Sequence, residues 1–293
     1  MQTELLPVSE NNPKHRVAYQ LPVGDQLLPL NDLLGHKLSL QYQGEIHCCH
    51  CGRKTKKSFS QGFCYPCFRK LPQCDICIMS PEKCHYDQGT CRDAAWGEKF
   101  CMTDHVVYLA NSSGLKVGIT RATQIPTRWI DQGATQAMPF IRVSTRQQSG
   151  LLEVIFKEFI NDRTNWRAML KGPADPLDLQ ESALELLDMN ASRIAAMQEQ
   201  FGIQAIQPLL GNFSGNFSDK EPGAVSGETA MPNVLNIDYP VLEYPAKVTS
   251  QSFDKQPLIE GTLQGIKGQY LILDTGVVNI RKHTAYQVSV TVP

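Results

Sequence analysis

The sequence predicts an α+β chain assembled from several small units, on three observations. Apolar residues alternate in short β-type runs toward both ends of the 293 residues. Helix-period runs occupy the middle, and between the first strands and those helices lies a stretch of cysteine, glycine, proline and lysine with almost no apolar periodicity. The units expected are an N-terminal β segment (1–47), a Cys-rich region (48–104), a small three-stranded α/β core (105–175), a helical segment (176–210), a linker (211–235) and a C-terminal β module (236–293). The length suits roughly two domains with an added module, since single domains usually run to about 100–200 residues.

Each element has its own signal. Between residues 16 and 47, Tyr19, Leu21 and Val23 alternate up to a turn at Gly24-Asp25, and Leu38, Leu40 and Tyr42 alternate up to Gly44; both read as strands. Residues 48–101 cannot bury an ordinary core and need another source of order, which bound metal supplies. Residues 106–110 and 115–120 are apolar runs joined by Asn111-Ser-Ser-Gly114, a hairpin signal. Residues 140–144 read as a third strand. Ser149 is placed to cap a helix that carries Leu151, Leu152, Ile155, Phe156 and Phe159. Residues 177–201 repeat Leu184, Leu187, Ala191 and Ile194 near helical spacing and stop before Gly202, which predicts one long amphipathic helix.

Residues 211–233 are poor in apolar side chains, contain a near-duplicate Gly-Asn-Phe-Ser, and read as a flexible linker. The later runs 246–249, 258–263, 270–273, 277–280 and 286–292 are β-type and are punctuated by Gly261, Gly265, Gly268 and Gly276. That pattern suits a small barrel-like module completed by the N-terminal strands.

Composition narrows the function classes. The 28 Lys and Arg nearly cancel the 29 Asp and Glu, so no whole-molecule field draws the chain to nucleic acid or a membrane, and any basic patch must be local. No apolar run approaches the ~18 residues of a membrane span, and the first residues lack the apolar core of a signal peptide, so a cytoplasmic protein is expected. In that reducing compartment the ten cysteines are expected to hold metal rather than form disulfides. The sequons at Asn212 and Asn216 are then plain loop.

The cysteines form three Cys-x-x-Cys pairs. Zinc takes four soft or borderline ligands in a tetrahedron, and a Cys-x-x-Cys turn presents two thiolates along one edge of it. Cys48, Cys51, Cys64 and Cys67 make a first, zinc-ribbon-like set. Cys74 and Cys77 open a second, to be completed from Cys84, His85, Cys91, Cys101 and His105, which is more ligands than one ion needs. The spacing leaves that partition open. Two structural zinc ions are expected, since closed four-ligand sites leave no position for water or substrate. Around the first set Arg53, Lys54, Lys56 and Lys57, with Arg69 and Lys70 after the second pair, enclose Phe59, Phe63, Tyr65 and Phe68, and Arg121 closes a later strand. This mixture could grip phosphate and stack bases, or simply solvate a zinc loop.

The stretch Val106-Val-Tyr108, a turn, Lys116-Val-Gly118, then Arg128 and on the next helix Glu153 resembles the core of the GIY-YIG endonuclease superfamily over about residues 105–165. The resemblance implies phosphodiester hydrolysis. Tyr108 would help activate water, Lys116 would stand where the superfamily carries its second tyrosine, and Gly118 would match the closing glycine. Arg128 would neutralise charge on the attacked phosphate, and Glu153 would bind Mg²⁺ or Mn²⁺. Val106 departs from the motif's first glycine. The chain as a whole also resembles an uncharacterised bacterial family that joins such a Cys-rich region to the runs 107–110, 116–121 and 127–134. Beside Arg128, Asp131 and Gln132 offer a carboxylate and an amide, while Glu153 and Lys157 at i,i+4 could be an ordinary surface pair. Three functions stay open: a metal-dependent nuclease acting on DNA or RNA, a non-catalytic nucleic-acid-binding protein, and a protein-interaction factor ordered by zinc.

Overall fold

The computed structural model describes residues 1–9, 12–209 and 233–292. Most of the expected linker, with both sequons, lies outside the described residues. Strands β1 (Gln2–Ser9), β2 (Asn12–Val23), β3 (Gln26–Pro29), β4 (Lys37–His47) and the two-residue β5 (Lys54–Thr55) open the chain. The Cys-rich region holds the short helices α1 (Tyr65–Lys70), α2 (Ile76–Met79) and α3 (Ala94–Phe100). Then come β6 (His105–Asn111), β7 (Leu115–Arg121), α4 (Thr127–Asp131), β8 (Gln136–Val143), α5 (Arg146–Phe156) and α6 (Trp166–Met169). Helices α7 (Leu179–Met189) and α8 (Ala191–Phe201) precede the short strands β9 (Ile206–Pro208), β10 (Leu235–Asp238) and β11 (Ser250–Gln251). Strands β12 (Leu258–Lys267), β13 (Tyr270–Leu273), β14 (Gly276–Asn279) and β15 (Tyr286–Thr291) end it.

Two sheets result. The first runs β1-β2-β10-β8-β6-β7, with β3 added to β2 and β9 to β8. The second runs β11-β14-β13-β12-β4-β15, with β5 added to β4. The architecture is therefore mixed α+β, but neither sheet closes. The barrel expectation fails because the edge strands β11 and β15 pair with β14 and β4 and not with each other. The N-terminal strands also divide: β4 enters the second sheet between β12 and β15, while β1, β2 and β3 belong to the first. The expected three-stranded core, β7-β6-β8, is accordingly one end of a wider sheet.

Strand β6 shows why the sheet sits where it does. All seven of its residues are buried, and its alternation feeds two cores. Val106, Tyr108 and Ala110 join a core shared by the two sheets, with Tyr19, Leu40, Trp129, Ile259 and Leu271 among its members. Val107 and Leu109 join a second core with Leu152, Phe156, Leu186 and Ile194 of the helices. A strand buried on both faces reads as an unbroken apolar run. In β8 the pairing with β6 skips Phe140, so a bulge stands beside Pro139. A bulge is where a strand interior tolerates a residue with no N–H to donate.

Two helix expectations are corrected. The helix expected from Ser149 starts at Arg146, because Thr145 and Gln148 form a reciprocal capping box one turn earlier. The single helix expected over 177–201 is two helices, broken at Asn190. The buried Asn190 side chain donates to the Leu186 carbonyl at 2.9 Å, which satisfies an acceptor of the last turn and ends α7. Among the described residues no helix is long and apolar enough to cross a membrane.

Candidate functional site

Cys48, Cys51, Cys64 and Cys67 converge. Their sulfurs all lie within 4.8 Å of one another, with Cys51 and Cys64 3.7 Å apart. Four sulfurs bound at ~2.3 Å to a tetrahedral zinc stand about 3.8 Å from each other, so the cluster has the spacing of a four-thiolate site. Backbone geometry builds it. Cys48 and Cys51 flank a tight turn closed by Gly52 N–H on the Cys48 carbonyl at 2.9 Å, and Cys64 precedes α1 so that Cys67 falls in its first turn. Burial raises the Cys48 thiol, but N–H groups of Cys64, Cys51 and His50 on its sulfur bring it down to about 6. Desolvation and hydrogen bonding among the neighbouring sulfurs push Cys67 up to about 12. Four thiolates crowded this closely repel one another, and a divalent cation relieves that.

The other expected metal ligands are placed differently. The buried Cys74 has its thiol raised by burial and lies within reach of Ser60, Arg92 and Cys48, on the side of the first cluster. Asp75, Cys77 and His85 offer ligand atoms within 4.8 Å of one another. Cys84, Cys91 and Cys101 act on Cys77, whose thiol burial pushes up to about 11. His105 is fully buried, with Nδ1 2.6 Å from the Thr103 carbonyl and Nε2 without a partner. Burial lowers it to about 4, so its ring is neutral.

The cations expected at a nucleic-acid face are displayed on the Cys-rich loops. Arg53, Lys54, Lys56 and Lys57 are exposed, though Lys54 pairs with Glu45 at 2.6 Å. Phe59 packs on Phe68 and Tyr65 with centroids 5.7 and 5.4 Å apart, and Lys57 lies over its ring. Tyr65 keeps half its surface exposed. Arg121 stands over the Phe100 ring at 4.9 Å, at the junction of β7 with the Cys-rich region.

The central unit brings its expected residues together. Tyr108 and Gly118 are direct cross-strand partners, and a Cβ at position 118 would stand 2.5 Å from the Tyr108 hydroxyl. The glycine is what lets the tyrosine ring lie across β7. The phenol donates to Gln132 Oε1 at 3.0 Å, and the Lys116 ammonium donates to the same oxygen. Trp129 meets the Tyr108 ring edge-on at 5.9 Å. Burial pushes Tyr108 up to about 12, against the charge and hydrogen bond of Arg128. Burial and then Arg128 lower Lys116 to about 8, while Glu153 and Asp162 oppose them. Burial, then Asp162, raises Glu153. Tyr108 and Lys116 are 0 and 3% exposed, whereas Arg128 and Glu153 are half-buried, so the latter two form the accessible rim.

Sequence reasoning noticed Asp131 and Gln132 but not their partners. Gln269 donates to Asp131 Oδ1, and Arg281 approaches its other oxygen at 3.5 Å. Both come from the C-terminal sheet, more than 130 positions away in the chain, where no local spacing could reveal them. Asp162 was missed too. The chain at Asn161 bridges alongside Lys116, with Val117 N–H bonded to the Asn161 carbonyl at 2.9 Å. That lays Asp162 within charge range of both Lys116 and Glu153.

The model of a family described as protein of unknown function (DUF2797) matches residues 35–288. No curated protein and no solved structure matches the chain.

Proposed function

The chain belongs to the DUF2797 family, and on that premise we propose that it is a zinc-stabilised protein whose central unit binds nucleic-acid phosphodiester and hydrolyses it with Mg²⁺ or Mn²⁺. One observation carries the reading: Tyr108 and Lys116 share Gln132 Oε1, Arg128 hydrogen-bonds Tyr108, and the Glu153 charge acts on both Tyr108 and Lys116. The order of these residues on hairpin, helix and later helix is that of the GIY-YIG-like resemblance. Zinc at Cys48, Cys51, Cys64 and Cys67 would replace a core that the Cys-rich region lacks.

Each side chain then has a role set by its exposure. Arg128, on the rim, would take a non-bridging phosphate oxygen and neutralise charge as the water oxygen adds to phosphorus and the P–O bond to the leaving group breaks. Tyr108 and Lys116 form the floor. From there the Lys116 charge strengthens phosphate binding, and Gln132 fixes both groups. The Glu153 carboxylate, raised by burial and by Asp162, fits a divalent cation that would cancel this repulsion. When bound, Mg²⁺ would supply Lewis-acid polarisation of the phosphate and a more acidic water.

The burial of Tyr108 and Lys116 favours a second reading, phosphate binding without cleavage. Labelled DNA and RNA incubated with Mg²⁺ or Mn²⁺ separate the two. Cleavage abolished by Glu153→Ala with binding retained, and both weakened by Arg128→Ala, is the expected result. Salt-sensitive binding without cleavage, indifferent to Glu153→Ala, would leave the second reading. Neither binding nor cleavage would leave a zinc-ordered interaction protein.

A further inference from the structure

Asp75, Cys77 and His85 offer a carboxylate oxygen, a sulfur and a ring nitrogen that all lie within 4.8 Å of one another. Local structure brings them together from two short segments. Asp75 caps α2, and Cys77 lies in its first turn. The chain then doubles back. Ser80 N–H closes on the Ile76 carbonyl at 3.0 Å, the 3-10 turn Pro81–Lys83 follows, and His85 stands just beyond it. Gln147 of α5 holds this turn through the Cys84 carbonyl at 3.1 Å.

The surrounding hydrogen bonds decide which atoms are left to bind. The Thr90 hydroxyl donates to the His85 carbonyl at 3.2 Å and so accepts from His85 Nδ1 at 2.8 Å. That puts the ring proton on Nδ1 and a lone pair on Nε2. Nε2 faces Asp75 Oδ2 at 3.5 Å, and two acceptors aimed at each other repel unless a cation lies between them. Asp75 is steadied in turn. Its oxygens accept the Ile76 N–H at 2.7 Å and Arg92 Nε at 2.9 Å, while Arg92 Nη1 donates to the Phe68 and Leu71 carbonyls, both at 3.1 Å. Outer hydrogen bonds of this kind orient metal ligands. Two ligand atoms ~2.0–2.1 Å from a tetrahedral zinc stand about 3.4 Å apart, and the 3.5 Å between Nε2 and Oδ2 is close to that.

We propose that Asp75, Cys77 and His85 bind a second zinc ion through three protein ligands, with its fourth position left to water. One thiolate and one carboxylate match the charge of Zn²⁺, so the site is neutral beside Arg92. The His85 and Asp75 side chains keep 24 and 10% of their surface exposed, which gives solvent access to the ion. The neighbouring thiols stay outside. Cys91 Sγ donates to the Asp93 carbonyl at 3.3 Å, and among the described residues neither Cys84 nor Cys101 joins the same set of ligand atoms. Through Arg92 the ion also braces the end of α1, the helix that carries Cys67 of the first cluster. The inference does not depend on the chain being a nuclease.

Zinc content of the full chain, by native mass spectrometry and elemental analysis, tests the site. Wild type should carry two ions. Cys77→Ser, His85→Ala and Asp75→Asn should each carry one fewer than wild type, whatever the first cluster holds, while Cys84→Ser and Cys91→Ser should match wild type. A wild-type count in His85→Ala or Asp75→Asn would overturn the assignment and leave those two residues as an ion pair; a loss in Cys84→Ser or Cys91→Ser would overturn it in favour of a thiolate in the fourth position. Should the variants fail to fold, cobalt-loaded wild type still decides. Its thiolate-to-cobalt absorption should exceed that of a single four-cysteine site by one thiolate's share, or equal that share alone if the first cluster takes no metal. An intensity equal to one four-cysteine site, or double it, would overturn the proposal.

Discussion

At the scale of single residues, the Tyr108 ring lying across β7 decides what position 118 can hold. Gly118 was legible as a motif position, and the structure supplies the cause in the Tyr108 ring that occupies the place of its side chain. Gly118→Ala should cost about 1–3 kcal/mol, read as a lowered denaturant midpoint, because a rigid strand and a buried ring leave little room to relax. The buried lysines were illegible as such, since nothing local marks Lys116 or Lys267 as inward-facing. Both are lowered to about 8 by burial. Below that value folded and unfolded chains alike hold the proton, and the folded state bears the full burial penalty. Between about 8 and the ordinary lysine value of 10.5 the folded state has released it while the unfolded state has not. Stability should therefore rise with pH across that window, and Lys116→Met should diminish the rise, in urea titrations at fixed ionic strength. The same protonation should govern binding. Oligonucleotide affinity, measured without divalent metal, should fall as pH passes about 8 and the floor charge is lost, and the Lys116→Met variant should show a flatter profile.

At the scale of elements, existence and type were more legible than ends. The β6–β7 hairpin and β13 were expected close to their observed bounds, because apolar runs and a Ser-Ser-Gly connection fix them locally. Strand β1 and the break at Asn190 were not. Strand β1 is largely exposed and owes its order to pairing with β2, and the break depends on a buried amide finding the Leu186 carbonyl. The contact between α5 and the turn at Pro81 was equally hidden, since it joins segments whose sequences carry no sign of each other. Gly150→Leu should force them apart. Hydrogen exchange would then show faster amides over residues 76–101, with β6 still protected, whereas unchanged exchange there would mean that the Cys-rich region is held by other contacts.

At the scale of the whole molecule, the division into units was only partly visible. Alternation marked strands at both ends of the chain, but not that β10 lies parallel to β2 or that β4 lies between β12 and β15. Sheet partners so far apart in sequence leave no periodic signature. The candidate site shares this limit. Its motif residues stand within 50 positions of one another and could be aligned by eye, yet Asp131 beside Gln132 is held by Gln269 and Arg281 of the other sheet. A chain ending before β12 should therefore lose the site's geometry as well as the second sheet. Expressed as residues 1–255, it should retain zinc at the first cluster, and metal content with circular dichroism would check that.

Strand β4 also bears on how the chain comes to be made. Ser39 bonds Glu260 across a sequence separation of 221 residues, so during synthesis the strand emerges long before β12 or β15 exists. Its apolar positions Leu38 and Leu40, buried in the finished protein, must wait unpaired while most of the chain is translated. Non-local pairing of this kind slows folding and exposes edges that other chains can capture. An intermediate with residues 37–45 unpaired is thus expected on the ribosome, and the proposed metal capture at Cys48, Cys51, Cys64 and Cys67, which needs only local closure, would run ahead of its burial.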